Sequence, residues 1–499
     1  MKKITSQKHR KMGVKNTRLV FCWIILLFIY IISTIYWYSL GIRFETLGIR
    51  WFPHYIPVDI LKEDLWGSIW NIHIQPFLFN LFIGIVVKCF NQPELFLNII
   101  YQILNVVLIS SMFLLLVRLG VHPFIGIIFV TIFALSPSNV LFSNYPFYTF
   151  PLVTLLLLSA LFLNQLFHSN NILYAFLFFF TLSIIVAIRS LFHPLWYLFI
   201  LIILLYLKKN HWRKILLASL IPFFIIIFAY GKNLYLFGTF SGSSWLGFSL
   251  AKMTTFMLPE EKRIDLVKQG VLTELSLIGP LNNPWRYREF APAPPRTGVK
   301  ALDSAETNTN NILMIDISNK YLKDATIVLK KYPETYFRAV KKAFKIYFFP
   351  SSEYFLYNNQ PNKKILYKYE KIYNTIIYGQ INIIIKKSDP MDLSNISFMS
   401  NPLNIGFFIL FGFVLSLVYS TKSIITSILN KNFIPSYHGT ILFIISNIIF
   451  VTLCANLLEV GENNRFRYMI EPYICIILAL IISDLYNRVK CVKKKSRHK

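Results

Sequence analysis

The sequence predicts an all-α polytopic membrane protein: a bundle of roughly ten transmembrane helices carrying a soluble insertion on its outer face. Three observations predict it. Of the 499 residues, 55% are hydrophobic and only 15% are charged, where a soluble chain carries about a quarter charged. Uncharged runs such as Leu19–Leu40 and Leu403–Tyr419 approach or exceed the roughly 20 helical residues that cross a hydrocarbon core of about 30 Å. The net charge of +28 is crowded into Lys2–Arg18, Arg488–Lys499 and the short stretch Lys208–Lys214, membrane-flanking positions where Lys and Arg mark the cytoplasmic side. That distribution points to the lipid bilayer as partner and away from nucleic acid. The five cysteines are scattered without metal-ligand spacing, so no disulfide framework is expected.

In chain order, a basic tail (1–18) precedes the first apolar run, about 19–39. This run is longer than the core of a signal peptide and no small-residue cleavage site follows it, so it reads as a retained helix. The polar segment Gly41–Gln75 is a first outer loop. Apolar segments follow at about 77–90, 96–117, 123–138, 147–166, 171–188, 191–207 and 214–230, closing an N-terminal transmembrane module over 19–230. Between 231 and 402, charges, turn residues and the Pro-rich stretch Ala291–Arg296 leave no convincing span, which makes this a soluble insertion. Segments 403–420, 438–457 and 468–486 form the C-terminal transmembrane part (403–486), and 487–499 is a second basic tail.

Charge and parity set the topology. With both tails and Lys208–Lys214 inside, one of the six apolar segments between Gly41 and Lys208 must not cross. Two are short, 77–90 (bounded by Pro76 and Pro93) and 123–138. The first choice puts Arg118 inside, the second Lys88, and charge alone does not separate them. Either choice gives ten spans and leaves Gly41–Gln75, Ser136–Tyr148, 231–402 and Glu459–Glu471 outside. The expected location is a bacterial plasma (inner) membrane, with both termini cytoplasmic.

The outer segments hold the chemistry-bearing residues. Asp59, Glu63 and Asp64 lie within six residues, and Asp59 and Glu63 share a face if the stretch is helical. Carboxylates there suit a general base toward an acceptor hydroxyl or amine, or ligands for a divalent cation such as Mg²⁺ or Mn²⁺; they equally suit a solvated surface helix. His73 and Gln75 open the next helix ahead of Pro76. A histidine there is more often a structural hydrogen-bonder than a catalyst, although its pKa suits proton transfer. Asn144 and Tyr145 offer uncharged donors in a proline-broken turn. Arg189 and His193 sit between two apolar segments on the outer side, against the usual bias, as do Arg465 and Arg467 beside Glu462. Guanidinium groups facing an outer cleft suit a lipid-linked phosphate, while snorkelling or pairing with Glu462 and Glu471 is the structural alternative. The sequence shows no dinucleotide fingerprint, HExxH or GxSxG.

Together these pieces resemble the GT-C class of integral-membrane glycosyltransferases, the superfamily of the dolichyl-phosphate-mannose-protein mannosyltransferases. The carriers of the likeness are the acidic first outer loop, the stretch His73-Ile-Gln75-Pro76-Phe77-Leu78, the turn Leu135-Ser-Pro137, and Gly461-Glu462 through Arg465-Phe-Arg467-Tyr468. Phe77 stands where a second proline is usual, and Ser136–Tyr148 carries no acidic residue where family members often do. The resemblance implies transfer of a sugar from a polyprenyl-phosphate donor to a glycan, lipid or protein acceptor at the extracytoplasmic face, inverting the anomeric centre. It implies Asp59, Glu63 or Asp64 as base or metal ligand, with Arg189, Arg465 and Arg467 on the donor phosphate. It also favours 77–90 as the segment that does not cross. A transporter or flippase of lipid-linked glycans is the rival reading. It would need polar groups at mid-depth in several spans, and most spans here carry no charge.

Overall fold

A computed structural model describes residues 2–46, 48–291, 296–304, 307–379 and 407–496, and among these every regular element is helical. The first helix, α1 (Lys2–Ser39), turns a stripe of Leu26, Tyr30 and Trp37 inward and leaves Phe21, Ile24, Phe28, Ile31 and Ile35 exposed. So much bare apolar surface on a helix long enough to cross a bilayer suits a lipid-facing position. The outer segment then folds as three short helices, α2 (Gly48–Trp51), α3 (Val58–Glu63) and α4 (Leu65–Trp70); α3 and α4 pack on each other and on α5 (Phe77–Cys89).

The bundle continues with α6 (Pro93–Arg118), α7 (Pro123–Ala134), α8 (Pro137–Ser143), α9 (Thr149–Ser169), α10 (Ile172–Ile188), α11 (Pro194–Leu207) and α12 (Trp212–Phe237). Proline stands at the first turn of α6, α7, α8 and α11, where its missing N–H costs nothing and its fixed φ suits the helix. Side chains of His122, Ser136, Asn171 and His193 cap α7, α8, α10 and α11. α12 runs to Phe237 rather than ending near Tyr230, and stops at Gly238, whose φ of 70° is the left-handed conformation that closes helices.

The segment after it folds as α13 (Leu246–Met253), α14 (Glu260–Lys268), α15 (Lys300–Asp303), α16 (Leu313–Lys331), α17 (Pro333–Tyr347) and α18 (Pro361–Tyr373). Among its described residues, most of its core is shared: Trp245, Phe248, Tyr321 and Tyr347 belong to the same apolar core as Leu108, Phe178 and Ile448 of the long helices, beside two small clusters, one of which also takes in Val460. The Pro-rich stretch falls mostly outside the described residues, as does the end of the insertion. α19 (Phe407–Leu429), α20 (Thr440–Leu458), α21 (Asn463–Tyr468) and α22 (Glu471–Ser496) complete the chain. α9 packs on α6 and α10, α10 on α12, α22 on α7 and α19, and α17 bridges the insertion to α20 and α21.

Among the described residues, seven helices are long and apolar enough to cross a membrane, and eight if the bent pair α7–α8 (61°) counts as one span. The chain is therefore a multi-pass membrane protein, all-helical among its described residues. α5, α10 and α11 are shorter apolar helices of 13, 17 and 14 residues, about 20, 26 and 21 Å long. Of the two short segments singled out by parity, 77–90 is the 13-residue α5, and 123–138 is the bent pair α7–α8.

Candidate functional site

The site is built around α21. α20 ends at Leu458, Gly461 turns the chain at φ 120°, and the short helix places Glu462 three residues before Arg465. Arg465 is 0% exposed. Its Nη2 donates to Glu462 in an ion pair, and its Nη1 donates to the Tyr148 hydroxyl at 2.8 Å and Thr149 Oγ1 at 3.4 Å. The rings of Phe147, Tyr148, Tyr354 and Phe466 surround the guanidinium at 4.8–5.4 Å, and its Nε has no hydrogen-bond partner. Burial weakens such a cation, but Glu462 outweighs it and holds Arg465 charged. Burial likewise opposes the Glu462 carboxylate, yet Arg465, Lys252 and Arg189 together keep it below the usual carboxylate range, and the Tyr354 hydroxyl donates to it at 3.1 Å.

Arg189 reaches the same place from the end of α10. It lies over the Tyr148 ring at 5.0 Å and the Phe466 ring at 5.5 Å. A guanidinium offers five N–H donors; the only side-chain or backbone acceptor Arg189 meets among the described residues is Gln75 Oε1, at 3.1 Å, and its buried Nε has none. Burial and the nearby Arg465 lower its pKa. Lys252 of α13 pairs with Glu459, which also accepts from Ser249 Oγ at 3.2 Å. His54 completes the cluster, stacked on Phe52 and edge-on to Trp245 at 4.9 Å. Burial, Arg189, Arg465 and Lys252 push its pKa well below the ordinary value, so it is neutral, and its Nδ1 has no partner. Three cations thus face two carboxylates around a neutral imidazole. The excess positive charge and three unpartnered ring or guanidinium nitrogens suit an anion with several oxygens, such as a phosphate ester.

The other sequence candidates take different places. Asp59, Glu63 and Asp64 are all exposed, and none bonds to a residue of this cluster. Asp64 accepts from Gly67 N and caps α4, Glu63 pairs with Lys300, and Asp59 has no hydrogen bond or ion pair among the described residues. His73 is structural: Nδ1 meets Ser244 Oγ at 2.8 Å and Nε2 meets the Asn310 carbonyl at 2.9 Å. Asn144 donates to the Val140 carbonyl at 2.8 Å. Tyr145 is buried against Phe147 and Tyr357. His193 caps α11 and meets Tyr230 edge-on. Arg467 is a brace rather than a free cation: it donates to the carbonyls of Tyr347 (2.6 Å) and Phe349 (2.7 Å) and to Ser351 Oγ (2.9 Å), and pairs with Glu471 at 2.7 Å.

Among the described residues no group of three or more His, Cys, Asp or Glu side chains is placed to hold a metal ion. The loop carboxylates point into solvent, and Glu459 and Glu462 are already neutralised by cations, so this donor set does not fit a Mg²⁺ or Mn²⁺ centre. No family model, no curated protein and no solved structure matches the chain.

His54, Lys252, Tyr148, Tyr354 and Glu459 complete the cluster without having been chosen as site residues from the sequence. Glu459 stands three residues before Glu462 and was legible as part of that acidic group. Lys252 and His54 are lone residues in otherwise unremarked stretches, and only tertiary packing brings them beside Arg189.

Proposed function

We propose that this protein is an inverting membrane glycosyltransferase that moves a sugar from a polyprenyl-phosphate donor to a glycan, lipid or protein acceptor at the extracytoplasmic face. The observation that carries the reading is the pairing of Arg189 and Arg465, like charges, one half-buried and one fully buried, held over one tyrosine ring with donors to spare. Keeping such charges together is costly, and an anionic ligand offsets the cost. In this reading Arg189 and Lys252 meet the donor phosphate and Arg465 supports them from below. The acceptor oxygen attacks the anomeric carbon, the bond from that carbon to the phosphate oxygen breaks, and the polyprenyl phosphate leaves with the electron pair. The cationic cluster stabilises that leaving group. The acceptor proton passes to a carboxylate. Glu459, partly exposed and within electrostatic reach of Arg189, is the better-placed base; Asp59, implied by the family resemblance, is the other candidate.

The topology that accompanies this reading has ten spans: the seven long helices, the bent pair, α10 and α11. α5 lies along the outer surface and both termini are cytoplasmic. The reading is tested by incubating the full chain in membranes with a panel of polyprenyl-phosphate sugars and following the label into product. Transfer that is lost in Arg189→Gln supports it. Movement of labelled lipid across vesicles with its chemistry unchanged would favour a flippase and overturn it.

A further inference from the structure

A polar cavity of about 120 Å³ opens between α1, α6 and α8, apart from the charged cluster. Its walls include Tyr30, Thr34 and Trp37 of α1 and Asn98, Gln102 and Asn105 of α6. Those three amides recur at i, i+4 and i+7, one face of a helix, within a helix apolar enough to cross a bilayer. Amides at that depth are costly unless partnered, and here they are partly partnered: Tyr30 donates to Gln102 at 2.6 Å, Gln102 to Asn98 at 3.3 Å, and Asn139 to Asn105 at 3.3 Å. Trp37 is nine-tenths buried, yet its indole N–H has no hydrogen-bond partner. Among the described lining residues the one charged side chain, Arg43, is turned onto the carbonyls of Tyr38 and Ile42 and stacked on the Tyr38 ring at 3.8 Å. Among the described residues no carboxylate lines the cavity.

The chemistry is neutral, rich in amides and edged by aromatic rings. Amides exchange hydrogen bonds with hydroxyls, and aromatic faces stack on the C–H face of a sugar ring. The cavity is smaller than the roughly 150 Å³ that encloses a benzene, but it is open on one side, so a sugar ring enters it edge-on with its remaining hydroxyls reaching the open side. We propose that it binds one uncharged, hydroxyl-rich sugar ring, free or carried as the head group of a membrane lipid. The proposal does not rest on the transferase reading. The wall is wired to the charged cluster: Asn139 accepts from the Tyr468 hydroxyl at 3.0 Å, and Tyr468 follows Arg465 by three residues on α21.

The test uses the full chain in phosphatidylcholine nanodiscs and octyl glucoside bearing a diazirine. Labelling is expected on peptides of α1 and α6, and is expected to be competed by unlabelled octyl glucoside but not by octanol. Competition by free glucose as well identifies a free sugar as the source; competition by octyl glucoside alone identifies a lipid head group. Gln102→Leu removes hydrogen bonds and is expected to cut labelling about tenfold; Thr34→Phe, which fills the space, is expected to do the same. Labelling of other helices, equal competition by octanol, or labelling that survives both substitutions overturns the proposal. The wild-type competition arms decide even if both variants unfold. Failure of sugar transfer leaves this result untouched.

Discussion

Arg189 donates to Gln75 at 3.1 Å, joining the loop after α10 to the residue that precedes Pro76 and α5. This contact holds the most accessible guanidinium of the cluster in place. Gln75→Leu removes the acceptor and leaves Arg189 free to swing. A hydrogen bond to a charged group is worth about 1.5–3 kcal/mol, so sugar transfer is expected to fall roughly 10–100-fold. Initial rates in membranes, compared with protein abundance, check this.

Arg465 and Arg467 stand two residues apart with opposite roles. Arg467→Lys keeps the charge but forfeits the fork that grips Tyr347, Phe349 and Ser351. The expected cost is about 2–4 kcal/mol of stability, read as a lower melting temperature with normal phosphate binding by the molecules that remain folded. Arg465→Lys is expected to do the reverse, keeping the fold and weakening the ligand. Parallel melting and binding curves separate the two.

Two sets of carboxylates compete for the role of base. Glu459→Gln is expected to lower transfer at least about 100-fold, the scale of general-base catalysis. Glu63→Gln loses an exposed ion pair worth under about 1 kcal/mol, and Asp64→Ala loses a helix cap worth about 1 kcal/mol; neither is expected to slow the chemistry. If Asp59→Asn is the variant that stops transfer, the base belongs to the first loop instead.

His73 gives the fold an acid limit. Burial pushes its pKa down to about 4, from 6.5 in the unfolded chain. Between those values the unfolded chain takes a proton that the folded chain refuses, so stability falls as the pH drops from 6.5 toward 4, by about 3 kcal/mol at most. Melting temperatures across that window are expected to fall less steeply in His73→Asn than in the wild type.

The helices were largely legible because lipid demands long uncharged runs, and Pro76, Pro93, Pro123, Pro137 and Pro194 mark where several begin. The bend between α7 and α8 was written in Leu135-Ser-Pro137, but its angle depends on packing against α18 and α9. In the candidate site, Gln75, Arg189, Glu462 and Arg465 were all named from the sequence and do come together. The loop carboxylates were not distinguished from a solvated surface because charge and spacing look the same in either setting. For Arg467 the sequence left open a phosphate contact or an ion pair with a neighbouring glutamate; the pair with Glu471 forms, and the carbonyls of residues 347 and 349 that complete its grip carry no signal in side-chain chemistry. His54 and Lys252 could be placed only by the fold.

The central claim is that the Arg189–Arg465 cluster recognises a lipid-linked phosphate. The most direct measurement is binding of a polyprenyl monophosphate and of the corresponding polyprenol to the full chain in nanodiscs, for the wild type and Arg189→Gln. The phosphate is expected to bind the wild type at least about tenfold more tightly than the alcohol, with that preference gone in Arg189→Gln. Equal binding of phosphate and alcohol, or a preference that survives the substitution, would contradict it.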